Sequence, residues 1–424
     1  MFKKRVFSIT LCVIIFLIFF WYPCLAYDGQ STHSNLTDIT VEIFNLTSQS
    51  KILQSEKYWI KKGSMDEDNG LRSINHFYDP IYNRTWRMGD LEHLIPEVTS
   101  KIWVNDQLRQ ASYDPAFLAT IQFQTKSCLE STANQTYNRA IYEYIKGNKK
   151  EAFYALGHTL HLLQDLTSVP HTRADVHISK NDSSSYEIRS AGKSVNDFQL
   201  LFNKLKNNPI IKRNNIDDYF YNVALYTNNR FYSEDTIADV DYKKPELYLK
   251  NIVDISAGVS RYYWLGWDED TKNTYKLAKQ FGKEWKINNL LSVADVDDPL
   301  VFEDYWSRLS KKAVLEGAGL VDLFFKDVER KKNDQQFMAM MEQKQGVKVF
   351  ENVIGDVKQL GTYLASLFNK HPEDIIIQPP NTSISTTATT ALATPTTKLI
   401  ATAFPTTTSG VFKTTTTKKI TTTT

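Results

Sequence analysis

Apolar residues recur at three- and four-residue steps over long stretches of the chain, which is the spacing of helices with one face turned towards a core. Alternating apolar and polar runs bounded by turns are scarce, so few strands are expected. The pattern predicts helices over residues 137–145, 151–165, 197–206, 217–228 and 301–331. The sequence is therefore expected to be all-α, a multi-helix bundle with long connecting loops.

The two ends of the chain differ in composition from the body between them. Residues 1–26 combine three basic residues, an apolar stretch and a signal-peptidase site, which predicts a cleaved export signal. An uncleaved membrane anchor is the alternative. Residues 379–424 form a Thr-rich tail that is too poor in large apolar side chains to fold, so it is expected to be disordered. Residues 27–378 are expected to form the folded domain of a secreted or cell-surface protein.

The net charge of the chain narrows the choice of binding partner. Loss of the three basic residues of the signal takes the formal net charge from +2 to −1, so no strongly basic face is expected. This argues against nucleic acid as the main partner, and the sequence indicates no protein partner.

The mature chain keeps only Cys128, so no internal disulfide can stabilise it. Bound metal is one way to replace that stabilisation.

The helix predicted over residues 151–165 has a polar face as well as an apolar one. His158, His161 and Asp165 share this face, because residues three, four and seven positions apart lie above one another on a helix. A His and an Asp four positions apart can hold one cation between adjacent turns. This helix is therefore the first candidate for a metal site.

More candidate ligands follow closely. His171 comes directly after Pro170, and His177, Asp175 and Glu187 lie downstream. A single His is more often a hydrogen-bonded interior residue, but four of the eight histidines of the chain fall within 20 positions. Imidazoles and carboxylates without thiolates favour a catalytic zinc site over a structural one.

The arrangement of these residues resembles a known metal motif. His161, Asp165 and His171, with a proline directly before the last His, resemble the central motif of the bacterial zinc-dependent phospholipases C, the family of the clostridial alpha-toxin. That family has an aromatic residue and a Glu further downstream, as Tyr186 and Glu187 stand here. The resemblance implies an all-α catalytic domain of the phospholipase C and single-strand nuclease type.

Three upstream segments resemble the same family. His76 lies in a His-Phe-Tyr-Asp-Pro segment whose His is a ligand in the family. Asp68 follows a Gly-Ser pair, as a ligand Asp does in the family. The Tyr-Asp-Gly start at Tyr27, with His33 soon after, resembles a Trp-Asp-Gly start whose freed α-amino group binds zinc. The matching segments span residues 27–187.

The resemblance implies about three zinc ions at one site. Their ligands would be Asp68, His76, His161 and Asp165 for one ion, the Tyr27 amine, His33 and a bridging Asp165 for the second, and His171, His177 and Glu187 for the third. Asp68 would also orient or deprotonate the attacking water.

The sequence departs from the family at several points. The family's best-known members have a His four residues before the Glu, where Ser183 stands here, so His177 is expected to replace it. The linker after Asp68 is short, so Asp66 and Glu67 remain possible ligands.

Two further residues are candidates for hydrogen bonding to the metal ligands and so for orienting them. His158 could contact a ligand carboxylate, or it could be a partly buried helix residue with no such role. Asp175 could orient His171 or His177. These two residues are candidates for the layer around the metal site.

The resemblance implies an enzyme that hydrolyses phosphoric diesters. The main hypothesis is a phospholipase C that cleaves glycerophospholipids at a membrane surface to diacylglycerol and a phosphorylated headgroup. A single-strand nuclease of the same superfamily is the alternative enzyme. A zinc-stabilised surface protein without catalytic activity is the third hypothesis, and Ser183 is its main support.

Overall fold

The fold is described from a computed structural model of the chain. The structure describes residues 29–85, 98–121, 125–175, 184–237, 242, 248–254, 259–280 and 294–345. All of them belong to one unit, Met1–His371. The expected signal at 1–26 and the Thr-rich tail at 379–424 lie outside the described residues, as do Tyr27, His177 and Ser183. Among the described helices, none is both long enough and apolar enough to cross a membrane.

Helices make up most of the described chain. The N-terminal part contains a π-helical turn at Gly29–His33, α1 (Ser34–Thr47), α2 (Gln54–Asp66), a 3-10 turn at Gly70–Asn75, α3 (Ser100–Trp103), α4 (Gln107–Ala111) and α5 (Pro115–Ile121). The middle part contains β1 (Lys126–Ser127), a 3-10 turn at Cys128–Glu130, α6 (Tyr137–Ile145), α7 (Lys149–Asp165), α8 (Val169–Thr172), α9 (Ser185–Ala191), α10 (Val195–Leu205) and α11 (Ile216–Arg230). The C-terminal part contains β2 (Tyr248–Asp254), β3 (Val259–Asp268), β4 (Asn273–Gln280), β5 (Ala294–Asp295), α12 (Pro299–Lys331), α13 (Gln335–Glu342) and β6 (Lys344–Gln345).

The five predicted helices are confirmed. The segment 137–145 matches α6 residue for residue, and the other four segments coincide with α7, α10, α11 and α12 to within a few residues. Local signals explain where these helices begin. The Thr136 hydroxyl accepts a hydrogen bond from the Arg139 amide at the start of α6, and the Asp298 carboxylate caps α12 directly before a proline.

The all-α prediction is wrong for residues 248–254, 259–280 and 294–295, which form strands and their connecting turn. Strands β2, β3, β4 and β5 form an antiparallel sheet in that order, with Leu265 paired to Tyr248 on one side and to Lys276 on the other. A second, two-stranded sheet joins β1 and β6. The described fold is therefore mostly helical but includes a sheet in a region where only helices were expected.

The residues of β3 explain why periodicity did not reveal it. Tyr263, Trp264 and Leu265 are consecutive and all buried, and a β-bulge interrupts the register between the last two. A continuous apolar run of this kind cannot be assigned to strand or helix from its spacing alone. The sheet packs on α12, where the Tyr305 hydroxyl donates to the Leu277 carbonyl at 2.8 Å.

Helices α2 and α7 cross in close contact, and this crossing places the candidate site. A Cβ built on Gly63 would lie 2.0 Å from the Tyr154 carbonyl oxygen, and one built on Gly157 would lie 2.1 Å from that of Ile60. The backbones therefore meet without intervening side chains. The residues that follow Gly63 consequently lie against the polar face of α7.

Candidate metal centre

The last two turns of α7 supply the centre of the site. His161 and Asp165 are fully buried, and the His161 Nε2 atom lies 3.2 Å from Asp165 Oδ2. Their spacing of four positions puts them on one face of the helix, as the sequence predicts. The other groups of the site come from three segments that pack against this face.

Two more imidazoles contact the Asp165 carboxylate. His33, at the end of the π-helical turn, places Nε2 3.1 Å from Asp165 Oδ1, and His76, after the 3-10 turn, places Nδ1 2.7 Å from Oδ2. The His33 ring stacks on His161 with 3.8 Å between ring centroids, and the His76 ring meets His161 edge-on at 4.9 Å. Three histidines that are distant in sequence therefore surround one carboxylate.

Asp68 closes the cluster on the side nearest to solvent. Its Oδ1 atom lies 3.3 Å from His161 Nε2 and 3.6 Å from His76 Nδ1. Its side chain is 12% exposed, whereas those of His76, His161 and Asp165 are 0% exposed. Asp68 is therefore the member of this cluster with the most contact with solvent.

The donor atoms of the cluster fit a cation. Several of the buried atoms that face one another make no hydrogen bond, namely His76 Nδ1 and Nε2, His161 Nε2, Asp68 Oδ1 and both Asp165 oxygens. Leaving such atoms unsatisfied costs free energy, so an additional partner is expected. Within the described part of the chain, two groups have ligand atoms within 4.8 Å of one another: His33, Asp68 and His161, and His76, His161 and Asp165. Imidazole nitrogens and carboxylate oxygens at this spacing suit zinc.

The carboxylates and imidazoles of the cluster shift one another's pKa values. Burial alone would lower the pKa of His161, but the Asp68 and Asp165 carboxylates raise that pKa well above its usual value. Burial would raise the pKa of Asp165, but His161 and then the other histidines around it hold that pKa well below its usual range. Asp165 therefore remains a carboxylate, which is the form that binds a metal.

His171 and Glu187 form a neighbouring pair. His171 Nε2 lies 3.2 Å from Glu187 Oε1, which also accepts a hydrogen bond from the Ser168 hydroxyl at 2.7 Å. The His171 ring stacks on Phe77 at 4.5 Å and lies 6.4 Å from the His76 ring. The pair is therefore adjacent to the main cluster. His177, the third expected ligand here, lies outside the described residues.

The two acidic residues before Asp68 have other contacts. Asp66 accepts hydrogen bonds from Lys62 and from the Tyr154 hydroxyl, the latter at 2.8 Å. Glu67 is fully buried and accepts from the Arg72 guanidinium at 2.6 Å and from Trp103 Nε1 at 2.9 Å. Of the three acidic residues, Asp68 is the one that contacts the cluster through two histidines.

His158 lies behind the cluster rather than in it. It is buried, and its Nδ1 atom contacts Glu67 Oε2, while Glu67 Oε1 lies 3.6 Å from His76 Nε2. Burial lowers the pKa of His158 to about 4 despite this carboxylate. Burial would raise the pKa of Glu67, but Arg72 and His158 hold it well below its usual value. The Glu67 carboxylate therefore lies between His158 and the candidate ligand His76. Asp175 is buried in the turn after α8, where its amide donates to the Pro170 carbonyl.

Sequence reasoning missed several residues of this surrounding layer. They are Thr37, Arg72, Trp103 and Gln164, all of which are buried beside the candidate ligands. Gln164 directly precedes Asp165, so only its position in the sequence could have drawn attention to it. Thr37 and Arg72 each lie four positions from a candidate ligand, and Trp103 comes from a remote segment. None of these three belongs to a recognisable motif.

Comparisons with known proteins give a weak similarity of shape. No family model matches the chain, and no curated protein matches it. The alpha-toxin of Clostridium absonum matches with a TM-score of 0.37 and 13% identity, covering 73% of this chain and 67% of that one. The Clostridium perfringens alpha-toxin from avian strain SWCP matches with a TM-score of 0.32 and 15% identity, covering 73% and 66%. At these scores the similarity carries no argument about the site.

Proposed function

We propose that this chain is a secreted zinc-dependent phosphodiesterase of the phospholipase C class, which cleaves glycerophospholipids to diacylglycerol and a phosphorylated headgroup. The observation that carries the proposal is the convergence of His33, Asp68, His76, His161 and Asp165 from separate segments on one point. The motif resemblance of these residues supplies the reaction class.

The buried residues of the cluster would hold the metal. Asp165 contacts three imidazoles and would offer both of its carboxylate oxygens as ligands. His76 and His161 would supply nitrogens for one of the proposed zinc ions, and His33 would supply one for a second. Bound zinc would supply positive charge to stabilise a phosphodiester during attack and would lower the pKa of a water.

Asp68 is the proposed general base. It is the one carboxylate of the main cluster with an exposed fraction, so it can meet an incoming water. A proton removed from that water would pass to an Asp68 oxygen, while its other oxygen remains available for metal binding. The same residue would then combine the functions of ligand and base.

Fewer of the proposed ligands of the third ion lie among the described residues. His171 and Glu187 supply two ligand side chains at 3.2 Å from each other. We assign the Tyr27 α-amine to the ion beside His33 on the motif resemblance. We assign His177 to the third ion as the replacement for the histidine that the family has where Ser183 stands here. Cleavage after residue 26 would then be part of assembling the site.

Lipid is proposed over nucleic acid for two reasons. The His-Phe-Tyr-Asp-Pro segment around His76 resembles the lipase branch of the superfamily more than the nuclease branch. The formal charge of −1 after signal removal also provides little attraction for a polyanion. A phospholipid at a membrane surface is the substrate class that follows.

One experiment tests this proposal. The full chain is secreted from a host that removes the signal, its zinc content is measured, and phosphatidylcholine vesicles and single-stranded DNA are offered with and without a chelator. Zinc near three per chain and chelator-sensitive release of diacylglycerol are expected. Cleavage of DNA alone would contradict the lipase proposal in favour of a nuclease. Bound zinc without hydrolysis of either substrate would favour a non-catalytic surface protein.

A variant with an extended N-terminus tests whether the Tyr27 α-amine is a ligand. Adding one residue before Tyr27 would move the free α-amine away from its proposed position as a ligand without substituting any side chain. Loss of about one zinc and of activity is expected. Unchanged zinc content would show that the amine is not a ligand.

A further inference from the structure

Gln164 lies beside the metal cluster and contacts one of its histidines. It is fully buried on α7, directly before Asp165. Its amide oxygen lies 2.8 Å from His33 Nδ1, and its amide nitrogen donates to the Thr37 hydroxyl at 3.0 Å. The side chain therefore joins His33 to α1.

The orientation of this amide is set by a chain of hydrogen bonds. The Thr37 hydroxyl donates to the Ser64 hydroxyl at 3.0 Å, so its single proton is already used. Towards Gln164 it can therefore only accept, and the NH₂ group of Gln164 turns to Thr37. The amide oxygen is left facing His33.

This orientation fixes the tautomer of His33. An amide oxygen can only accept a hydrogen bond, so the ring proton of neutral His33 is held on Nδ1. The unprotonated Nε2 atom then points to Asp165, 3.1 Å away, where the metal cluster lies. A lone pair at this atom is what a metal ligand requires.

The neighbouring histidine is held in the same way. His161 Nδ1 lies 2.6 Å from the Ser64 backbone carbonyl, which is also an acceptor only. In their neutral forms, the stacked rings of His33 and His161 therefore take the same tautomer, with both Nε2 atoms on the side of the cluster. Ser64 contributes to both arrangements, through its carbonyl and through its hydroxyl.

We infer that Gln164 is a positioning residue that selects the metal-binding tautomer of His33 and fixes the orientation of its ring. The metal part of this inference rests on the proposed function, whereas the tautomer part concerns the metal-free protein. An amide performs this role without adding a negative charge beside Asp165. A carboxylate at the same position would increase the negative charge of the cluster.

The decisive measurement is nitrogen NMR of histidine-labelled, metal-free protein at a pH where His33 is neutral. The wild type is expected to show His33 protonated on Nδ1. Gln164→Leu removes the acceptor and is expected to shift His33 towards the Nε2-protonated form, because Nε2 can then donate to Asp165. Gln164→Glu restores an acceptor and is expected to restore Nδ1 protonation.

Zinc titration gives the second readout. Loss of a partner that orients a metal-bound histidine typically weakens binding by about 10- to 100-fold, and this is expected for one zinc in Gln164→Leu. Thr159→Val is the matched control, since its hydroxyl is buried on the same helix and, among the described residues, bonds the Ala155 carbonyl and no group of the cluster. That variant is expected to change neither the His33 tautomer nor zinc affinity.

The outcomes separate this inference from the proposed function. His33 protonated on Nε2 in the wild type, or a His33 tautomer that Gln164→Leu leaves unchanged, would overturn the inference. If the wild type binds no zinc at all, the proposed function fails while the tautomer measurement still decides the role of Gln164. If Gln164→Leu does not fold, the wild type and Gln164→Glu spectra decide it.

Discussion

Gly63 and Gly157 bring the backbones of α2 and α7 into direct contact, and this contact sets the position of His161. A Cβ at either glycine would lie about 2 Å from a carbonyl oxygen of the other helix. Because the helices approach so closely, the Ser64 carbonyl reaches His161 Nδ1 at 2.6 Å. The two glycines thus determine both packing and the geometry of a candidate ligand.

Gly157→Ala is therefore expected to destabilise the protein. The added methyl group would force the helices apart, and overpacking of this kind costs about 1–3 kcal/mol. A urea unfolding curve measures the change. Gly192→Ala is the control, because its Cβ would meet the Arg189 carbonyl oxygen at an ordinary 3.4 Å. Equal stability of the two variants would contradict the close contact.

Much of the helical fold could be predicted from the sequence, because apolar spacing is a local signal. The bounds of α6 follow from the pattern over 137–145 and from the cap at Thr136. The sheet could not be predicted in the same way, since Tyr263 and Trp264 are both buried although they are neighbours in a strand. Their burial depends on contacts with remote segments that no local pattern reveals, such as the hydrogen bond from the Tyr263 hydroxyl to Asp298.

The candidate site also combines contacts that local spacing predicts with contacts that only the folded chain reveals. His161 and Asp165 could be placed together because four positions separate them on one helix. Their meeting with His33 and His76 was expected only from the motif resemblance. The contact of Glu67 with His158 joins residues 91 positions apart and depends on the glycine crossing of α2 and α7. Spacing along the chain carries no information about such a contact.

Arg72 is expected to be important for stability because it neutralises a buried carboxylate. Glu67 is fully buried, and Arg72→Met would leave its charge without this partner, which costs about 3–5 kcal/mol. Thermal unfolding of the metal-free protein measures the loss. Arg189→Met is the comparison, since the exposed Arg189–Asp297 pair is expected to contribute about 1 kcal/mol or less. A similar small loss in both variants would argue against a buried ion pair.

Asp114 gives a prediction for acid stability away from the metal cluster. Burial would raise its pKa, but hydrogen bonds from Thr132 and from the amides of Phe117 and Ala116 lower it. The Asp114 carboxylate thus binds a proton less readily in the folded protein than in the unfolded chain. The stabilisation is present above the unfolded pKa of about 4 and is lost as the pH falls through the folded pKa.

Asp114→Asn tests that prediction. The variant keeps one acceptor oxygen but loses the bonds that Thr132 donates to the other, at 2.8 Å each. Its stability is expected to be about 1–2 kcal/mol below that of the wild type at pH 7, and the gap should narrow as the pH falls below about 4. Chemical denaturation in the presence of a chelator, at several pH values, measures this difference in stability. A gap that stays constant down to pH 3 would refute the assignment.

The last prediction separates Asp68 from its acidic neighbour Asp66. Asp68→Asn keeps the size of the side chain but removes its ability to take a proton, so phosphatidylcholine hydrolysis is expected to fall by about 10²- to 10⁴-fold. Asp66→Asn is the matched control, because Asp66 bonds Lys62 and Tyr154 and not the cluster. Zinc content measured in parallel distinguishes the two proposed functions of Asp68. Retained zinc with a low rate indicates a base, whereas lost zinc indicates a ligand. Full activity in Asp68→Asn, or a comparable loss in Asp66→Asn, would show that the carboxylate has been assigned to the wrong residue.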